Sequence, residues 1–516
     1  MSAKRIMIQG TMSGVGKSIL TAALCRIFHQ DGYRTAPFKS QNMALNSFIT
    51  RDGGEMGRAQ VLQAQAAGKV PDVRMNPILL KPSSDTGSQV IVMGKVRGHY
   101  AAAEYFRMKS SLAEDVLSAF NDLAEENDII VIEGAGSPAE INLKHNDIVN
   151  MGLAKMLDAP VLLVGDIDPG GVFAQLYGTM MLLEEQERQR IIGTIINKFR
   201  GDEQILRPGL KMLENLTNVP VLGVIPYLHM DLDDEDSLSP RLSVSEGRGP
   251  VDIAVIRFPR VSNFTDFAPL AMHPAFSVRY VSRAELLGSP DLIILPGTKN
   301  TMGDLEWMRQ NGLETTIKRL HQKRVPILGI CGGYQMLGQT LEDPDNAEHG
   351  GTMAGLGLLD CRTVFSTEKL QTQTEACVSA DPFSGAKIKG YQIHMGRTFG
   401  NETKVFCILK DGSRDGSVRD NVFGTYLHGL FDSGELTARL AEYLLKRKGM
   451  DIIPSVIKSH EAYLDEQLDL LADTVRSHLN LEVIYQAFEK WRKSTDDLSD
   501  TSTDRADQHA DDFIGA

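Results

Sequence analysis

The stretch "GTMSGVGKS", Gly10 to Ser18, constrains the fold of this chain more than any other. It follows a short apolar run, "RIMIQ". Ile19, Leu20, Ala23, Leu24, Ile27 and Phe28 come after it at the i, i+4 spacing of an amphipathic helix. A glycine loop between strand and helix that ends in Gly-Lys-Ser suits phosphate. Its backbone N–H groups and the helix N-terminus cradle the anion, Lys17 neutralises charge and Ser18 offers a hydroxyl to Mg2+. Gly14 and Gly16 let the backbone approach closely. Further apolar runs, "DIIVIEGAG", "APVLLVGDI", "IIGTIINKF" and "VPVLGVIP", alternate with helical patterns. Buried strands alternating with helices predict a parallel α/β sheet.

Acidic and polar residues cluster where that sheet would end. Glu133 closes one apolar strand and is followed by glycines, a position from which a carboxylate holds Mg2+ directly or through water. Asp166 and Asp168 stand at another strand end. Residues 37–60 and 76–94 are dense in Lys, Gln, Asn, Asp and Gly and read as two long ligand-carrying loops. Within them Lys39 and Lys81 are candidates to stabilise charge on a transferring phosphoryl group.

The acidic stretch "HMDLDDEDSLSPRLSVSEGRGP" interrupts the pattern and reads as a boundary, with a linker at 236–250 between a first domain over 1–235 and a second over 251–445. The second α/β series begins at "VDIAVIRF". In "VPILGICGGYQMLG" an apolar strand meets a helix through Gly329-Ile330-Cys331-Gly332-Gly333. Small residues flank the cysteine because a nucleophile elbow is tight and strained, and the helix N–H groups favour thiolate. Cys331 needs a base, and His428 in "GTYLHGLF" is the candidate: a Cys–His pair is the arrangement that attacks an amide carbonyl. "ILPGTKNT" ends another strand, and Gly297 there, with Gly332, is a candidate oxyanion-binding position. Residues 446–493 read as helical. The tail, 494–516, holds seven Asp and one Arg and too few apolar residues to offset ordering entropy, so it is expected to be disordered.

The formal net charge of −13 argues against nucleic-acid or anionic-membrane binding. Five cysteines without a CxxC pair fit a reducing compartment better than a disulfide scaffold or zinc site. The N-terminal apolar run is too short for a signal peptide and no stretch approaches a membrane span, so a cytoplasmic protein is expected.

Two resemblances emerge. In the phosphate loop, Thr11 holds the place of the usual first glycine, and "GT…GVGKS" resembles the dethiobiotin synthetase-like branch of P-loop enzymes. Met12 stands where the ParA/MinD branch has another lysine. That resemblance implies adenine contact by Asn197 in "INKFRGD". The cysteine elbow, "ILPGTKNT" and the late histidine resemble a class I glutamine amidotransferase domain, in which a thiolate releases ammonia from glutamine. There Pro-Glu follows the histidine and the Glu orients it. Here Gly429 and Leu430 follow, leaving a Cys–His dyad whose third member is unidentified. The combination, with "PFKSQNMALNS", "DGGEMGRAQVLQA", "MNPILLKPSSDTGSQV", "EGAGSPAEINL", "PRVSNFTDF" and "GYQIHMGRT", resembles the cobyric acid synthase family over roughly residues 5–490. The implied fold is α/β: a P-loop parallel sheet domain, then a class I amidotransferase-like α/β domain, then a helical segment and the acidic tail. The implied reaction is ATP- and glutamine-dependent amidation of the b, d, e and g carboxylates of adenosylcobyrinic acid a,c-diamide. ATP would bind at Gly14, Gly16, Lys17, Ser18, Lys39 and Asn197, and Mg2+ at Ser18 and Glu133. The a,c-diamide synthase, or a regulatory P-loop ATPase with a non-catalytic amidotransferase-like domain, are the alternatives.

Overall fold

The computed structural model describes residues 3–82, 87–228, 230, 232, 249–401, 404–452 and 459–490. The boundary stretch and the acidic tail fall almost wholly outside these residues. The first unit is built on a six-stranded parallel sheet. Its order is Val221–Pro226, Ile191–Phe199, Val161–Asp166, Lys4–Gly10, Ile129–Glu133 and Thr35–Phe38. The strands are apolar along their length because both faces are covered. On one face the helix Lys17–Gln30 buries Leu20, Ala23, Leu24, Ile27 and Phe28, five of the six positions that the i, i+4 spacing predicts, with Ile19 partly buried. On the other, Val116, Phe120 and Leu123 pack with Leu176, Met180 and Leu213.

The second unit has a six-stranded sheet, ordered Phe276–Val281, Val251–Ile256, Leu292–Leu295, Ile327–Ile330, Val422–Thr425 and Ser417–Arg419, parallel except for the last pair. Beside it a long antiparallel ribbon, Cys361–Val378 with Lys387–Gly400, pairs at its edge with Leu427–His428.

One feature departs from the sequence expectation and a second adds to it. The stretches read as polar loops supply three strands, Gln41–Met43, Ile78–Pro82 and Gly87–Val92, of a four-stranded sheet that Lys95–Ala101 completes, and a hairpin, Ser47–Ile49 with Glu55–Gly57. Polar residues inside them, Lys81 and Glu55, are buried and paired with each other, so hydropathy conceals the strands. The helix His460–His478 returns to the first unit, where Leu464, Leu468, Leu471 and Val475 join the cluster of Leu20, Leu24 and Phe28. Each such burial stabilises by about 1.5–3 kcal/mol, and Arg26 bonds Asp469 at 2.7 Å across the same contact.

Candidate active site

Two constellations occupy the C-terminal edges of the two parallel sheets. At the first, the loop after Lys4–Gly10 turns through Gly14 (φ 75°) and Gly16 (φ 94°), conformations that glycine adopts at little cost. Gly16 also lies against Asn197: a Cβ there would sit 2.3 Å from its Nδ2. Asn197 Nδ2 donates to the Val15 carbonyl (2.8 Å), and Lys198 Nζ bonds the Gly14 carbonyl (2.6 Å) and Asp166 (2.7 Å). The strand Ile191–Phe199 thus clamps the loop, a part for Lys198 that no sequence signal marks. Lys17 Nζ donates to the carbonyls of Met12 (3.0 Å) and Gly136 (2.9 Å). Glu133, 1 % exposed, accepts from Ser18 Oγ (2.8 Å), Lys39 Nζ (2.9 Å) and Gln63 Nε2 (2.6 Å). Lys39 is therefore beside the phosphate loop. Asp168 sits at the rim with Arg200 (2.9 Å).

Lys81 is not placed with them. Its amine bonds Ser47 Oγ (2.9 Å) and Glu55 (2.8 Å) and lines the cavity around Cys331. The phosphoryl-stabilising reading of Lys81 is corrected on that ground: its charge is spent on a buried carboxylate at the other site.

That other site is a tight cavity of about 40 Å³ lined by Cys331, His428, Lys299, Glu348, Lys369 and His394 among others. Cys331 sits between the strand Ile327–Ile330 and the helix Gly332–Leu337 with φ 52° and ψ −109°, a backbone that a side-chain-bearing residue rarely adopts. The strained elbow expected from Gly-Ile-Cys-Gly-Gly is present. A Cβ on Gly333 would sit 1.9 Å from the Leu295 carbonyl oxygen, so only glycine lets the helix start there. The Gly332 N–H opens that helix, where no carbonyl four residues back receives it. Gly297 is close enough to His428 that an added Cβ would meet its Cε1 at 3.0 Å.

His428 and Cys331 line the same cavity, where the Cys331 thiol donates to the Ile393 carbonyl (3.5 Å). His428 Nδ1 meets Asp266 Oδ2 at 2.6 Å, and Asp266 Oδ1 also accepts from the Gly429 N–H (3.1 Å). The acid that Gly-Leu after His428 leaves unsupplied comes from the turn Phe264–Phe267, 162 residues earlier. Asp266 lies in "PRVSNFTDF", a block that carries the resemblance but gives the acid no role, and no local pattern picks it out. Burial opposes charge on the His428 ring, yet the adjoining Asp266 carboxylate and Cys331 lift its pKa to about 10. His394, in the same cavity, is held down to about 4 by burial and stays neutral. A carboxylate partner decides which imidazole is charged.

Comparison with known proteins agrees with this two-part architecture. Residues 6–237 match the model of the CobQ/CobB/MinD/ParA nucleotide binding domain, and residues 252–436 that of the CobB/CobQ-like glutamine amidotransferase domain. The cobyric acid synthase of Ruminiclostridium cellulolyticum is 58 % identical, over 95 % of this chain and 98 % of the relative. Those of Lachnoclostridium phytofermentans and Citrobacter koseri are 53 % and 52 % identical, each over 95 % of this chain and 99 % of the relative. The chain belongs to the cobyric acid synthase family. As a member it is a glutamine amidotransferase ligase, catalysing an ATP-dependent amidation in cobalamin biosynthesis. Among the described residues no helix is long and apolar enough to cross a membrane, and no three His, Cys, Asp or Glu side chains gather as a metal site.

Proposed function

We propose that this cobyric acid synthase converts adenosylcobyrinic acid a,c-diamide to adenosylcobyric acid by amidating the b, d, e and g carboxylates, each with one ATP and one glutamine. The observation that carries the reading is the His428–Asp266 pair in one cavity with Cys331 on its strained elbow, on the same chain as a phosphate loop. A carboxylate does not react usefully with ammonia until one oxygen becomes a leaving group. At the first site a substrate carboxylate oxygen attacks the γ-phosphorus of ATP and ADP departs, leaving an acyl phosphate. Lys17 and Lys39 offset the charge on the transferring group, and Gly14, Gly16 and Asn197 shape the loop around the nucleotide. Ser18 Oγ and Glu133 Oε1, 2.8 Å apart, are hard oxygen donors that would hold Mg2+. When bound, that ion supplies charge neutralisation at the phosphates.

At the second site the Cys331 thiolate attacks the side-chain amide carbon of glutamine. The His428 imidazolium, oriented by Asp266, gives its proton to the departing nitrogen, and ammonia leaves. The oxyanion faces the Gly332 N–H and the Gly297 loop. Water then attacks the thioester, His428 takes its proton, and glutamate is released. Lys299 and Glu348 at the cavity wall, a donor and an acceptor, suit the carboxylate and ammonium of a free amino acid. Ammonia reaches the acyl phosphate, the new C–N bond forms and phosphate leaves. Corrinoid and glutamine are the small-molecule partners.

The test is ATP-dependent amidation of the a,c-diamide with glutamine or ammonium, for wild type and Cys331→Ala. Loss of glutamine use with ammonium use retained is expected. No amide product from either nitrogen source sinks the reading.

A further inference from the structure

Residues 39–63 run as one stretch between the two sites, and both of its ends grip the same carboxylate. Lys39 Nζ donates to Glu133 Oε1 (2.9 Å). Gln63 Nε2 donates to Glu133 Oε2 (2.6 Å) and to the Ser18 carbonyl (3.2 Å). Between these ends the stretch leaves the phosphate loop and reaches the cysteine site. Asn46 Oδ1 accepts from the Phe264 N–H (3.3 Å), at the head of the turn that carries Asp266. The Ser47 carbonyl accepts from Asn263 Nδ2 (3.4 Å) and from the Tyr391 hydroxyl (3.1 Å). The Tyr391 ring in turn stacks on His428, with centroids 5.4 Å apart and planes 21° from parallel. The Ile49 carbonyl accepts from Gln373 Nε2 (2.6 Å).

Glu55 completes the contact. Fully buried, it accepts from Lys81 of the first unit (2.8 Å) and from Lys369 and Gln371 (2.8 Å) of the second. Lys81 and Lys369 are both walls of the Cys331 cavity. A buried carboxylate with donors from both halves cannot shift without moving them, because leaving any of these charges unpaired is expensive.

We infer that residues 39–63 act as a strap between the two sites. Asn46, Ser47 and Glu55 are positioning residues for the His428–Asp266 pair and the cavity wall, and their hold is set at Glu133 by what occupies the phosphate loop. The inference rests on the assignment of the two sites under the proposed function. Phosphate arriving at Lys17 and Ser18 competes with Glu133 for Ser18 and Lys39. A displaced Lys39 lies only a short chain length from Asn46, and the hairpin Ser47–Ile49 with Glu55–Gly57 ties Ser47 to Glu55. A misplacement of about 1 Å at a catalytic pair costs on the order of a hundredfold, so a small shift suffices.

The direct readout is alkylation of Cys331 by iodoacetamide, followed by peptide mass spectrometry. The exposed Cys377 serves as the reference thiol in the same sample. In wild type, ATP is expected to change the Cys331/Cys377 rate ratio by about threefold or more. Asn46→Ala should slow Cys331 about fivefold without nucleotide and erase the response to ATP. Asn46→Asp, which keeps an acceptor for the Phe264 N–H, should restore both. An ATP-induced thermal shift in each variant confirms that the first unit is folded. Where Asn46→Ala does not fold, Tyr391→Phe, which removes the hydroxyl's bonds to the Ser47 carbonyl and from Asn263 Nδ2 (2.7 Å), carries the same expectation. A wild-type ratio indifferent to ATP, or an Asn46→Ala protein that alkylates and responds like wild type, overturns the strap. Absence of amidation by wild type with either nitrogen source instead overturns the functional reading, and the alkylation data still judge the strap.

Discussion

The phosphate loop and the cysteine elbow are both strand-to-helix turns at the end of a parallel sheet, yet they are prepared in opposite ways. At the elbow the proposed reacting groups are held in place: Cys331 stands at φ 52°, and His428 is bonded to Asp266 at 2.6 Å. At the phosphate loop the charged groups are occupied with one another. Lys17 is on two backbone carbonyls, and Glu133 holds Ser18, Lys39 and Gln63. The difference follows from the ligand. Glutamine is a small zwitterion whose transition state needs fixed dipoles. ATP brings several charges, which call for donors and counter-charges gathered around the loop.

The sharpest way to break this contrast is Asp266→Asn. If His428 is preorganised by that carboxylate, glutamine-driven amidation should fall by roughly three to four orders of magnitude in kcat. Amidation from ammonium should continue, because the first site is untouched. Parallel steady-state assays with the two nitrogen sources check it. Equal loss of both activities would mean that Asp266 holds the fold and not the reaction.

The same pair sets a pH signature. The folded pKa of His428, about 10, lies above its ordinary value near 6.5, so the stabilisation is fully present below about pH 6.5 and is lost as pH rises through about 10. Its size is on the order of a few kcal/mol. Wild type should therefore lose denaturant resistance between pH 7 and 10 more steeply than Asp266→Asn, whose His428 lacks the counter-charge. Equal slopes for the two proteins would place the charge elsewhere.

The phosphate loop answers to Glu133→Gln. The amide keeps the shape but cannot neutralise Lys39 or offer a carboxylate to Mg2+. Amidation with either nitrogen source is expected to drop about a hundredfold. A variant that retains ammonium-driven turnover within a factor of about two would show that Glu133 serves the strap alone.

How far the sequence reveals these sites depends on range. Cys331 and the phosphate loop are legible because each is built from adjacent residues whose spacing is itself the geometry. The sheets are legible because parallel strands covered on both faces are continuously apolar. His428 becomes legible only once a cysteine elsewhere requires a base. Asp266 does not, since its partner is 162 residues away and its turn carries no spacing signal. Lys81 reads as a phosphate ligand because a lysine in a polar stretch looks solvated. In the fold its charge meets Glu55, a pairing that only the contact between the two units creates.

The smallest expected effect tests how closely the elbow's surroundings are fitted. Gly297 lies outside the left-handed region that only glycine favours, so the cost of Gly297→Ala is one of space. The added methyl would meet His428 Cε1 at 3.0 Å, Ser262 Oγ at 3.3 Å and the Ser262 carbonyl at 3.4 Å. Ser262 Oγ can rotate away, but the ring cannot retreat, being stacked on Tyr391 and bonded to Asp266. A displacement of a few tenths of an ångström should then cost about tenfold in kcat/KM for glutamine hydrolysis. KM for ammonium should not move. If the loss appears in kcat, the methyl has tilted the imidazole; if it appears only in KM, Gly297 shapes the pocket that receives the amide. Wild-type kinetics for glutamine would show that His428 has slack, and the contrast with the self-occupied phosphate loop would narrow accordingly.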